Sequence, residues 1–154
     1  MAKQLITILV SYSSKEADLA DLLLEELRQH FAASRQYQVR FWLDRKNIEL
    51  GDKWHETIRK ALKECDFGLL LMSSAFLGSE YIKQNELPEL ISRNRVLPVA
   101  LKPWSTDADL RGLEKHQIFR HDHKAFQQSK NKPAFGLACY ERIVQRLATE
   151  RAKA

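Results

Sequence analysis

Cys65-Asp66-Phe67-Gly68-Leu69-Leu70-Leu71-Met72-Ser73-Ser74 is the stretch on which the fold turns. From Phe67 to Met72 every residue except Gly68 is large and apolar, with no alternation of polar and apolar positions. A short run of this kind, closed by serines, reads as a strand buried on both faces, the mark of the middle of a parallel sheet. Leu5–Val10 is a second such run, rich in β-branched residues. Gln38–Leu43 is a third, and Arg95–Leu101 a fourth, although Pro98 lacks the N–H that a regular interior strand needs. His116–Arg120 reads as a short fifth strand at the edge.

Helical patterns alternate with these runs. Ser13-Ser14-Lys15-Glu16 has the form of a capping box, followed by an apolar stripe of Leu19, Leu22, Leu23, Leu27 and Phe31. Asp52 is placed to cap a second helix, whose face is Trp54, Ile58, Ala61 and Leu62. A third helical segment ends near Arg93. The closing helix runs from Ala134 to about Glu150, with Leu137, Tyr140, Ile143, Val144 and Leu147 as its stripe. Alternating strands and helices predict an α/β fold, a five-stranded parallel sheet with helices on both faces in the flavodoxin-like order 2-1-3-4-5. Pro88 would break a helix interior. It predicts that no unbroken helix spans Glu80 to Arg93, with Asn85 as N-cap and Glu86 at a helix N-terminus, near its macrodipole.

The totals narrow the function classes. A chain of 154 residues, 44% hydrophobic and 29% charged, suits one soluble domain. No apolar run approaches the roughly 20 residues that span a bilayer. Met1-Ala2-Lys3-Gln4 leads into a strand without the features of a signal peptide, so a cytoplasmic location is expected. The net charge is +5, but acids and bases are interspersed and no basic cluster alternates with aromatics, which speaks against direct nucleic-acid binding. Cys65 and Cys139 read as two buried free thiols. No GxGxxG, GxxxxGK[ST] or GxSxG motif occurs. His121-Asp122-His123 offers two imidazoles but no third ligand, and reads as a polar loop, so no metal is expected.

In open α/β sheets ligands bind beyond the carboxyl ends of the strands. There the chain offers Ser11-Tyr12-Ser13-Ser14, Leu43-Asp44-Arg45-Lys46, Ser73 through Tyr81, and Lys102-Pro103-Trp104: hydroxyls, cations, aromatic faces and carboxylates. A nucleotide's ring and phosphates match that inventory.

Three stretches carry a family resemblance. Val10 to Glu16 resembles the first box of Toll/interleukin-1-receptor (TIR) domains. Trp42 through Asp52 resembles the second box and its BB loop, and Met72 through Tyr81 with Glu86-Leu87 resembles the third landmark. The resemblance as a whole spans about residues 5 to 147. The form is closer to bacterial than to animal receptor TIR domains. The resemblance implies a single TIR domain over 1–154, itself a module of a longer protein. It implies an NAD+ glycohydrolase or cyclase activated by self-association, in bacterial defence or signalling, or else a non-catalytic TIR–TIR adaptor. Glu86 matches the catalytic glutamate of the enzymatic members. Some of those members carry Trp-Cys four and three residues before it. Ile82-Lys83 stand there in this chain, and Tyr81 is the nearest aromatic. Tyr12, Ser13, Asp44, Ser79, Tyr81 and Trp104 are the expected substrate contacts. Arg45, Lys46, Ile48, Glu49, Leu50 and Gly51 are the expected self-association loop. NAD+ is expected as substrate rather than resident cofactor. Other TIR protomers, in a homo-oligomer or filament, and further domains of a longer chain are the expected partners, with no membrane.

Overall fold

The computed structural model describes residues 2–43, 51 and 53–153. Four strands, β1 (Gln4–Ser11), β2 (Tyr37–Leu43), β3 (Phe67–Met72) and β4 (Val96–Ala100), form an all-parallel sheet in the order β2-β1-β3-β4. The helices are α1 (Ala17–Ala32), α2 (Trp54–Glu64), α3 (Ser74–Leu77), α4 (Leu87–Ser92) and α5 (Lys132–Lys153). β1 pairs with β2 from Gln4↔Tyr37 to Val10↔Leu43, and β3 is central between β1 and β4.

Alternation along the strands sorts two cores. Ile8, Val10, Leu69 and Leu71 face α1 and α5, where Leu23, Leu27, Phe135 and Ile143 pack. Leu9, Leu70 and Met72 face the other way, onto Ile58, Leu62 and Leu90 of α2 and α4. All six residues of β3 are buried, as its unbroken apolar run requires. Gly68 sits under Leu90, so closely that a Cβ there would lie 2.5 Å from a Leu90 methyl. The missing side chain lets α4 approach the sheet.

The expected fifth strand shrinks to a single parallel bridge, Val99↔Phe119. The cause is local. Phe119 N–H donates to Pro98 O at 2.8 Å, and Phe119 O accepts from Ala100 N–H at 2.9 Å. One step back, the ladder would need the Pro98 N–H, which does not exist. One step forward, the Ala100 carbonyl is already taken by Phe126 N–H at 2.9 Å. Pro98 itself is tolerated because its C=O, and so its absent N–H, points away from β3.

Three side chains leave their expected stripes. Leu22, Trp54 and Leu137 are exposed, while Leu24, Phe135 and Cys139 are buried in their place. The capping box is half formed. Ser13 Oγ accepts from Lys15 N–H at 3.3 Å, and Glu16 N–H donates to the Ser13 backbone carbonyl. Asp52 lies outside the described residues. Both cysteines are free and buried.

Candidate functional site

The segment between β3 and β4 decides the site. Ser73 Oγ accepts from Phe76 N–H at 3.0 Å and starts α3. Ser79 Oγ accepts from Ile82 N–H at 3.3 Å and starts the next helical stretch. That stretch is not regular. Residues Ile82–Glu86 form a π turn, with Leu87 N–H donating to Ile82 O, and α4 follows with Pro88 in its first turn. Pro88 has no N–H to give to the preceding turn, and that turn is the widened one. The expected break at Pro88 is therefore present, but as a π turn inside continuous helical backbone. π turns of this kind recur at functional sites.

Two finer expectations are corrected. Asn85 is not an N-cap: it lies inside the π turn, and its Nδ2 donates to Tyr81 O at 3.1 Å. Glu86 is the N-cap of α4, but hydrogen-bonded helical backbone precedes it. The N–H that follows is already bonded to Ile82 O, so this is no free helix end and the macrodipole argument lapses.

Glu86 is fully buried, and its Oε2 accepts a 2.8 Å hydrogen bond from Ser11 Oγ, also fully buried. Ser11 ends β1 and continues the face of Leu9, which looks toward α2 and α4. The glutamate therefore lies against the carboxyl end of the sheet, beside the first strand. Glu89, one turn on, is only partly buried.

The other expected contacts divide between the two faces. Tyr12 is half-buried against the α1–α5 core, and Ser13 beside it is committed as a cap. Tyr81 packs on the α2–α4 core. Its hydroxyl is 3.2 Å from His55 Nδ1, and its ring centroid is 5.3 Å from that of half-exposed Trp54. Trp104 also borders that core, with the Arg120 guanidinium stacked over its ring at 4.8 Å. Asp44, Arg45, Lys46, Ile48, Glu49 and Leu50 lie outside the described residues. Gly51 is exposed with φ +93°, a left-handed turn that suits glycine. Ser11 was named only within the hydroxyl-rich turn after β1, without a role, and His55 and Trp54 were not expected at the site. Nothing local marks the His55–Tyr81 contact, which closes over 26 positions.

His121-Asp122-His123 forms a tight two-residue hairpin. His121 and Lys124 exchange both backbone hydrogen bonds, and Asp122 and His123 both have positive φ. His121 stands edge-on to Phe135, while His123 is exposed at the tip. Among the described residues no group of three or more potential metal ligands is gathered, and no helix is long and apolar enough to cross a membrane.

A parallel sheet in the order 2-1-3-4, a Ser-rich turn after β1 and a buried glutamate after β3 form one arrangement. The family described as "TIR domain" matches residues 8–130, most of the chain, and the chain belongs to that family. No curated protein matches it.

Proposed function

We propose that this TIR domain cleaves NAD+ at the nicotinamide–ribose bond and that Glu86 supplies the negative charge the reaction needs. The observation that carries the reading is the place of Glu86: a carboxylate at the carboxyl end of the central strands, in a π turn, held by Ser11. When the C–N bond breaks, its electron pair leaves with the nicotinamide, which departs neutral and needs no general acid. Cationic charge then builds on the ribose, as in glycoside cleavage. A carboxylate stabilises that charge more in the transition state than in the ground state. Water adds to the sugar carbon and loses a proton to solvent, giving ADP-ribose; attack by the adenine instead gives a cyclic product.

Tyr81 is the aromatic assigned to this site. It stands five residues before Glu86, one more than the Trp of enzymatic relatives. The intervening π turn bonds i to i+5 where an α-helix bonds i to i+4, so the extra residue is absorbed. Ser13, Ser79, Tyr12, Asp44 and Trp104 remain assigned to substrate contact.

Because Glu86 is fully buried, ribose contact requires the chain above it to part. We assign that opening to self-association through residues 45–51. The dilute domain is then slow, and clustering on a scaffold accelerates it. The test is nicotinamide release by clustered wild type, Glu86→Gln and Ile48→Asp. Activity in wild type alone supports the proposal. Turnover that survives in Glu86→Gln moves the chemistry elsewhere.

The same burial favours a second reading, in which Glu86 only ties β1 to the helix that follows β3 and the domain is an adaptor. No turnover by clustered wild type, with self-association intact, selects that reading.

A further inference from the structure

A cleft of about 260 Å³ opens where the fifth strand fails to form. Residues 115–117 line it opposite β4, with which that segment shares only the Val99↔Phe119 bridge, and Cys139, Arg142, Ile143 and Arg146 of α5 form the third side. Its apolar lining includes Val96, Val99, Phe119 and Ile143. The hydrogen-bonding pattern of β4 directs Pro98 O and Ala100 N–H toward Phe119. By the alternation of a parallel strand, the Val96 N–H and C=O point to the same side, into the cleft.

The charged lining is of one sign. Lys115, Arg142 and Arg146 border the cleft, and no aspartate or glutamate does. Arg146 is committed, to Glu150 and to the Asn94 carbonyl at 2.7 Å. Lys115 and Arg142 form no ion pair among the described residues. An apolar slot with two unmatched cations at its mouth is complementary to a ligand with an anionic head and an apolar tail.

We infer that this cleft is a binding site for a small amphipathic anion of the medium-chain carboxylate class, its head on Arg142 and Lys115 and its tail against Val96, Phe119 and Ile143. Walls on three sides favour a small molecule over an added peptide strand. Burial pushes the Cys139 thiol at the cleft up to about 12, so it stays neutral and the lining adds no opposing charge. The site is separate from Glu86 and independent of NAD+ turnover.

The experiment is titration of the whole 154-residue chain with octanoate, followed by amide NMR and calorimetry. Octylamine, with the same tail and opposite charge, and inorganic phosphate, with charge and no tail, are the comparisons. Saturable shifts confined to Val96, Lys115–Phe119 and the facing turn of α5 are expected. Arg142→Glu, at an exposed position, should weaken octanoate about tenfold or more, the effect of losing one charged hydrogen-bond partner. Equal binding of octylamine or of phosphate overturns the proposal, as do unchanged affinity in Arg142→Glu and shifts scattered over the surface.

Discussion

Ser11 and Glu86, 75 positions apart, meet in a buried hydrogen bond of 2.8 Å between Oγ and Oε2. The bond joins the end of β1 to the π turn that follows β3, across the sheet edge where ligands bind in folds of this type. The carboxylate is a tie within the fold, and the function proposed above gives it a second, separable role as the charge for chemistry.

Those roles come apart on mutation. Ser11→Ala removes a donor to a buried carboxylate, and hydrogen bonds to charged groups contribute about 1.5–3 kcal/mol. Urea unfolding should show a loss of that size. Glu86→Gln keeps the shape and an oxygen that can accept from Ser11, so its stability loss should be smaller. Its turnover should fall by about 10²–10³, by analogy with the loss of one oxyanion-hole donor. A Glu86→Gln variant that unfolds as readily as Ser11→Ala yet keeps full turnover would leave only the structural tie.

Pro98 stops the edge ladder, so restoring its N–H should extend it. In Pro98→Ala, residue 98 gains the donor that a continued ladder would give to the Gln117 carbonyl, with Gln117 N–H given in turn to Val96 O. Hydrogen exchange should slow at Gln117, and the amide that the substitution creates at residue 98 should be protected. The net stability change should stay within about 1 kcal/mol, because the freer unfolded chain offsets the new bond. Exchange at the unprotected rate at both amides would mean that something other than Pro98 holds the 115–118 segment away.

The four main strands were legible because burial on both faces leaves an unbroken apolar run, as in Phe67–Met72. The fifth was not, since His116–Arg120 has a strand's composition while its pairing depends on a proline in another strand and on the carbonyl that Phe126 occupies. The break at Pro88 was legible from the missing N–H. Its form was not, because a π turn and a true helix start both accommodate that proline. Leu22, Trp54 and Leu137 were misplaced because leucine and tryptophan mark an apolar stripe only through neighbours that settle its angle. For the site, Glu86 could be picked out by its family landmark. Its partner Ser11 follows from the sheet order, which places the end of β1 beside β3.

The Asp122–His123 turn carries two residues in the left-handed region, at φ 51° and 61°. A two-residue hairpin of this hand favours Asn-Gly. Asp122→Asn with His123→Gly should raise stability by about 0.5–1 kcal/mol, the relief of left-handed strain less the entropy of the added glycine. Thermal unfolding measures it. A lower melting temperature would show that the side chains replaced, among them Asp122 with its oxygen 3.7 Å from His121 Nε2, stabilise more than the turn strain costs.

Cys139 sets a limit at alkaline pH. It is buried beside Arg142, and burial, the larger effect, pushes its thiol from the ordinary 9.0 up to about 12 against the lowering influence of that arginine. The folded state thus holds this proton more tightly than the unfolded chain. The resulting stabilisation is fully present below pH 9 and is lost as the pH rises toward 12, at up to about 1.4 kcal/mol per unit. Lysines and tyrosines titrate in the same window, so the useful quantity is the difference from Cys139→Ala, which removes only this group. The variant should be less stable than wild type at pH 7, from the cavity it leaves, and the gap should narrow steadily between pH 9 and 11. The same burial should keep Cys139 unreactive toward thiol reagents at pH 8 until the chain is unfolded. A stability gap that stays constant across that range, together with rapid labelling of the folded protein, would place Cys139 in contact with solvent.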